Sequence, residues 1–163
     1  MHLLTIREFQ VALDTGKIRR VEHRDLSEIV KLLADDPLGV GREDPTQLAV
    51  YEEAFQSLIA SPDNELLVFE QRDGQLVGYI QCCYMRSLSY KGARRSLIED
   101  VRVLASHRRN GIGHQLLQDA VSRAQQRGCR IVQLFMHRNR VDARKFYLRL
   151  GFTQEHDGFR LTL

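Results

Sequence analysis

Apolar residues recur along this chain with two periods, and the changes between them divide it into elements. Leu26, Ile29, Val30 and Leu33 are spaced as one face of a helix, behind Asp25, a residue able to cap it. Leu48, Tyr51, Phe55, Leu58 and Ile59 repeat the pattern in a second helix. It starts at Asp44-Pro45, since proline suits a first helical turn, and ends at Ser61-Pro62. A short strand over 17–23 precedes the pair, and the polar loop 34–43 joins them. Beyond that point the period becomes two: the runs 65–70 and 76–85 flank Asp73-Gly74, a hairpin signal, and a third strand follows over 95–104. A helix with Leu116, Leu117, Ala120, Val121 and Ala124 on one face closes at Gly128, and a strand over 130–136 comes directly after it. The last helix carries Ala143, Phe146, Tyr147 and Leu150, stops at Gly151, and leaves two short strands around His156-Asp157-Gly158.

The order β, αα, βββ, α, β, α, ββ is neither strict alternation nor segregated layers. It predicts an α/β protein of the α+β mixed-sheet kind, a central sheet flanked by helices, with one parallel crossover from strand 95–104 to strand 130–136. Residues 1–16 carry a weak helical pattern without a strong cap and are set apart as an N-terminal extension of uncertain structure, and residues 17–163 form a single domain. A chain of 163 residues that is 43% hydrophobic is long enough to bury one core and shape one cleft. A net charge of +3 over 24 basic and 21 acidic residues is too small an excess to demand nucleic acid. Cys82, Cys83 and Cys129 are odd in number and lack metal-ligand spacing, so they read as reduced thiols. His107, His114 and His137 also lack companion ligands, and no metal is expected. Without a membrane-length apolar run or a leader pattern, the expected location is the cytoplasm, with no membrane partner.

The most informative stretch is Arg108-Arg109-Asn110-Gly111-Ile112-Gly113, set between the end of a strand and the start of an amphipathic helix. Two glycines one residue apart let the backbone approach a ligand closely, and the N–H groups and positive end of the helix attract an anion. Arg108 and Arg109 can add charge-assisted contacts to phosphate oxygens. The spacing excludes a Walker-type loop, and His114 follows where a dinucleotide fold continues toward a third glycine. On the residues alone, a polyphosphate cradle and a plain strand-to-helix turn with a solvated basic patch both remain open.

The same stretch resembles the Gln/Arg-x-x-Gly-x-Gly/Ala signature of the GNAT superfamily of acetyl-CoA-dependent N-acetyltransferases. Ile98-Glu99-Asp100-Val101-Arg102-Val103 is similar to the strand before that signature, and the run 143–152, Ala-Arg-Lys-Phe-Tyr-Leu-Arg-Leu-Gly-Phe, to the family's closing motif. The run 140–147, Arg-Val-Asp-Ala-Arg-Lys-Phe-Tyr, looks most like the aminoalkylphosphonate N-acetyltransferase members. The resemblance implies the GNAT-type acyl-CoA N-acyltransferase fold, a splayed central sheet flanked by helices with acetyl-CoA in the split. It implies coenzyme contacts at Val101, Arg102, Val103, Arg108, Arg109, Asn110, Gly111, Ile112, Gly113, His114, Arg140 and Phe146. The asparagine that many members place seven residues before the tyrosine is absent, because position 140 is arginine and Asn139 comes one residue earlier.

Acyl transfer to an amine needs a base, a donor for the oxyanion and protonation of the leaving thiolate. In a regular strand Glu99 shares a face with Leu97, Val101 and Val103, which would raise its pKa and suit a base. Glu99 also matches the glutamate base of polyamine-type relatives, unless Arg94 or Arg102 merely neutralises it. A β-bulge, common in this strand of the family, would favour Asp100 instead. The resemblance gives the oxyanion donor to a backbone N–H near Val101, and sets Tyr147 near the coenzyme sulfur, though a core role also fits its spacing. With reference pKa values of about 10 for tyrosine and about 8.5 for a thiol, that proton transfer is uphill, so Tyr147 assists. Asp142 can cap the last helix. In the loop between the first helices, Asp35, Asp36, Glu43 and Asp44 can attract a cationic amine, with Asp36 and Asp100 as candidate substrate contacts. The expected partner is a small-molecule amine, the alternatives being a protein lysine or N-terminus, or a non-catalytic regulator that senses acyl-CoA or binds nucleic acid. A homodimer is expected from the family resemblance.

Overall fold

The structure, a computed structural model, describes residues 16–36 and 41–163. The expected extension therefore lies outside the described residues except for Gly16. The chain divides into two compact units, one holding described residues 16–133 and the other residues 134–163.

In the larger unit, β1 (Lys17–Arg20) leads to α1 (Leu26–Ala34) and α2 (Ala49–Ala60). The hairpin β2 (Asn64–Glu70) and β3 (Leu76–Arg86) follows, then β4 (Arg94–Val103), α3 (Ile112–Gln126) and β5 (Cys129–Leu134). The five strands form one sheet in sequence order, with β1 to β4 antiparallel neighbours and β5 reached through α3 and set beside β4. One sheet face packs Leu66, Val68 and Tyr79 against Leu26, Ile29, Val30 and Leu32 of α1 and Phe55 of α2. The other face receives α3 so closely that a methyl group on Gly78 would stand 2.9 Å from a Leu116 methyl and 3.0 Å from one of Ile112.

Two local expectations change. Asp25 stands at the α1 N-cap position without capping it: it is buried, and its carboxylate takes a bidentate pair from Arg19 at 2.6 and 3.0 Å. The second helix begins at Ala49 rather than Asp44, because the Asp44 side chain accepts hydrogen bonds from the Thr46 backbone and hydroxyl and so holds a turn. Between β3 and β4, residues Ser89–Gly92 form a turn in which Tyr90, Lys91 and Gly92 all adopt positive φ.

In the smaller unit, α4 (Val141–Arg149) ends at Gly151, whose φ of +88° gives the left-handed stop that glycine allows. Asp142 lies in the first turn rather than at the cap, which Arg140 occupies. The two strands expected around His156 do not form: residues 153–163 have no regular structure, and Phe159, Leu161 and Leu163 remain exposed. Their alternation supplies an apolar face, but a strand also needs a neighbour for its backbone groups.

Candidate functional site

The loop 104–111 connects β4 to α3 through two left-handed residues, Arg109 (φ +69°) and Gly111 (φ +79°). Gly111 is the N-cap, and the first helical hydrogen bond runs from Gln115 N–H to Gly111 C=O at 3.0 Å. The N–H groups of Ile112, Gly113 and His114 therefore have no acceptor within the helix and sit at its positive end. Left-handed residues alternating with others make a concave set of backbone donors, the geometry that binds phosphate oxygens. Glycine fits a position that crowds any Cβ, while Arg109 holds the same region at a cost.

Arg108 is anchored within the chain. Its Nε donates to Val103 O at 3.0 Å and its Nη2 donates to Asp35 O at 3.0 Å, with the Asp35 carboxylate 3.5 Å away. Asp35 Oδ2 also accepts from Ala105 N–H at 2.9 Å. The guanidinium thus ties the end of α1 to the loop that opens α3, because nearby acceptors of the same chain satisfy it.

The strand before the loop also departs from regularity. Gln81 faces Glu99 and Tyr79 faces Arg102, so Asp100 and Val101 together oppose the single Ile80. This is a β-bulge, and Asp100 in it has a φ of +51°. The expected face shared by Leu97, Glu99, Val101 and Val103 is thereby overturned. Val103 pairs with Gly78 on the α3 side, whereas Glu99 pairs with Gln81, on the side of Tyr79 and α1. Arg102 joins Glu99 on that side.

The face so formed carries groups that sequence periodicity did not single out. Tyr79 hydroxyl donates to Gln81 Oε1 at 3.4 Å, and Gln81 Nε2 lies 3.3 Å from Cys83 Sγ. Burial pushes the Cys83 thiol up, the Gln81 contact works against that, and the charges of Glu99 and Asp100 add to it. Burial raises the Tyr79 phenol as well, aided by Asp100. Strict alternation along 76–85 could have shown that 79, 81 and 83 share a face; that they meet Glu99 depends on the register.

The loop acids all have hydrogen-bond or ion-pair partners, and Asp36 is buried. Asp36 is 4% exposed, with Arg102 Nη2 at 3.3 Å and Arg42 Nη2 at 3.7 Å from its Oδ2. Glu43 accepts from the Tyr51 hydroxyl at 3.1 Å, and Asp44 serves its own turn. Arg94 pairs with Asp63 at 2.5 Å, and Arg102 with Asp36 and Asp100.

Arg140, Phe146 and Tyr147 belong to the smaller unit. There the Tyr147 ring lies 5.3 Å from that of Phe146 and 5.9 Å, edge-on, from that of Phe152. The larger unit brings together Asp36, Glu99, Asp100, Val101, Arg102, Val103 and the loop to His114. All three cysteines are free thiols. Among the described residues, no three His, Cys, Asp or Glu side chains gather as a metal site, and no helix is long and apolar enough to cross a membrane.

Residues 26–152 match the acetyltransferase (GNAT) family. An uncharacterized N-acetyltransferase of Archaeoglobus fulgidus is 26% identical over 131 residues, 80% of this chain and 88% of its own length. An aminoalkylphosphonate N-acetyltransferase of Salmonella typhimurium is 36% identical over 91 residues, 56% of this chain and 57% of its own. Among solved structures, a transcriptional regulator from Bacillus halodurans C-125 superposes with a TM-score of 0.88 at 37% identity, over 91% of this chain and 99% of that one.

Proposed function

From the premise that this chain belongs to the acetyltransferase (GNAT) family and is an N-acetyltransferase, we propose that it moves the acetyl group of acetyl-coenzyme A onto the primary amine of a small molecule, by direct attack in a ternary complex. The observation that carries the reading is the left-handed turn at Arg109 and Gly111, which opens α3 next to a bulged strand. A polyphosphate fits that turn through backbone donors, with Arg109 supplying charge. Acetyl-CoA supplies the acetyl group as a thioester, activated toward amines.

The residues of the chain do the rest. Backbone N–H at the bulge, near Val101, meets the negative charge that develops on the carbonyl oxygen. Glu99 or Asp100 receives the proton that the nitrogen releases as the N–C bond forms. The C–S bond breaks, and the sulfur takes a proton, the step in which the family resemblance gives Tyr147 an assisting role. One feature supports a small acceptor: the likeness to an enzyme named for aminoalkylphosphonates. A cytoplasmic homodimer completes the proposal.

A second reading, a regulator that binds a ligand without turnover, draws on the likeness to the Bacillus protein. The arginine pairs that it would use are partly committed elsewhere, Arg94 to Asp63 and Arg108 to Asp35.

Thermal unfolding with acetyl-CoA, CoA, ATP and NAD in parallel, followed by thiol release with a panel of amines, separates the two. Binding at a hundredfold excess over Kd adds about 2.7 kcal/mol of stability. We expect that gain with acetyl-CoA and CoA alone, and turnover with small amines that Glu99→Gln lowers and shifts in pH, while Tyr147→Phe only slows it. No stabilisation by acetyl-CoA would overturn the acetyltransfer reading, and binding without turnover of any amine would favour the regulator.

A further inference from the structure

The turn that enters the phosphate loop has no cap of its own. Ala105–His107 form a single 3-10 turn, closed by His107 N–H on Leu104 O at 2.8 Å, and Leu104, at the N-cap position, has no side-chain acceptor to offer. The acceptor comes from elsewhere in the chain: Ala105 N–H donates to Oδ2 of Asp35, 70 residues back, at 2.9 Å. Just past the turn, Arg108 donates through Nη2 to Asp35 O at 3.0 Å and through Nε to Val103 O at 3.0 Å. One residue thus holds the turn at both ends, directly before Arg109, Asn110 and Gly111.

Asp35 stands where a carboxylate is locally unfavourable. It is the C-cap of α1, and the unpaired carbonyl groups at the end of a helix repel negative charge. Contacts across the chain compensate: Ala105 N–H, and the Arg108 guanidinium 3.5 Å from the carboxylate. The next residue fixes the end of the helix, because Asp36 is buried and meets Arg102 of β4 at 3.3 Å. The end of α1 is therefore set on the bulged strand and reaches from there to the loop.

Resting on the acetyltransferase reading above, we propose that Asp35 is a positioning residue for the coenzyme: it orders the turn 105–108 in advance, so that the N–H groups of Ile112, Gly113 and His114 stand ready for the diphosphate. It acts through Ala105 and Arg108 rather than on the coenzyme itself. Were the turn loose, the diphosphate would have to order it on binding, and that cost would come off the affinity.

Titration calorimetry with CoA on the full chain tests this in Asp35→Ala and Asp35→Asn. Alanine removes the acceptor for Ala105 N–H, whereas asparagine keeps one. Asp35→Ala should raise the Kd for CoA about fivefold, the net worth of one hydrogen bond, and Asp35→Asn should recover most of that loss. The melting temperature should stay close to the parent's in both, since each variant also removes a negative charge from the end of α1. A role confined to stability predicts the reverse, a lower melting temperature with the parent's Kd, and that result overturns the inference, as does tighter binding in Asp35→Ala. Either failure leaves acetyltransfer standing, whereas no binding of CoA by the unaltered chain removes both.

Discussion

Asp100 is where a single residue sets the site. Its φ of +51° crowds Cβ against the neighbouring carbonyl oxygen, a conformation that costs most L residues about 1–2 kcal/mol and that aspartate tolerates better than most. A β-branched side chain fits it worst. Asp100→Val should therefore lower the unfolding free energy by about 1–2 kcal/mol, while Asp100→Gly, which adopts this φ freely, should cost little. Urea unfolding of the two variants measures the difference, and equal midpoints would mean that the bulge relaxes when the residue changes. The sequence showed this point only faintly. Leu97, Glu99, Val101 and Val103 alternate as an unbroken strand would, and the one local mark of an extra residue is an aspartate, a poor strand former, in the middle of the run. The contacts of Arg108 were opaque for another reason: the acceptor that it finds, Asp35, is 73 residues away along the chain.

At the scale of elements, the position of α3 decides where the phosphate loop stands, and Gly78 decides how near α3 comes to the sheet. A Cβ there would meet Leu116 at 2.9 Å, Ile112 at 3.0 Å and Phe69 Cβ at 3.2 Å, so Gly78→Ala forces the helix or the strand to give way. Overpacking of this kind costs about 1–3 kcal/mol. Because Ile112 is the first residue of α3, the displacement falls on the end whose N–H groups would bind the coenzyme. Gly78→Ala should thus lose stability and, at a temperature where it is still folded, weaken acetyl-CoA binding as read by calorimetry. Loss of stability with unchanged affinity would show that the strand, not the helix end, absorbs the strain. Helix and strand placement was readable because it follows hydrophobic period alone: Ile29 and Val30, or Leu116, Leu117 and Ala120, are buried as spaced. The closing strands were misread because Phe159 and Leu161 give the pattern of a strand without saying what it pairs with.

For the molecule as a whole, stability in acid should follow buried carboxylates rather than the modest net charge. Glu65 is 4% exposed; burial works to raise its pKa, but the Tyr84 hydroxyl at 2.8 Å and the charges of Arg20, Arg123 and Arg127 outweigh that and lower it. Arg123 Nη1 stands 3.0 Å from Oε1, and Arg127 Nε 3.4 Å from Oε2. Asp25 follows the same balance, burial raising it and Arg19 with the Glu22 N–H lowering it further. When the folded pKa lies below the unfolded value of about 4, the unfolded chain binds more protons in acid, so stability rises with pH there. The contribution is complete above the unfolded pKa and disappears as pH falls through the folded one. The urea midpoint should therefore be flat from pH 7 to about 5 and fall below about 4. Glu65→Gln keeps an acceptor for Tyr84 but leaves Arg20, Arg123 and Arg127 around a neutral amide. Removing one side of a buried ion pair costs about 3–5 kcal/mol, so the variant should be far weaker at pH 7. As acid protonates Glu65 in the parent chain, the two should converge. A gap that stays constant down to pH 3 would mean that Glu65 stabilises the fold by shape and hydrogen bonding, and that its charge contributes nothing.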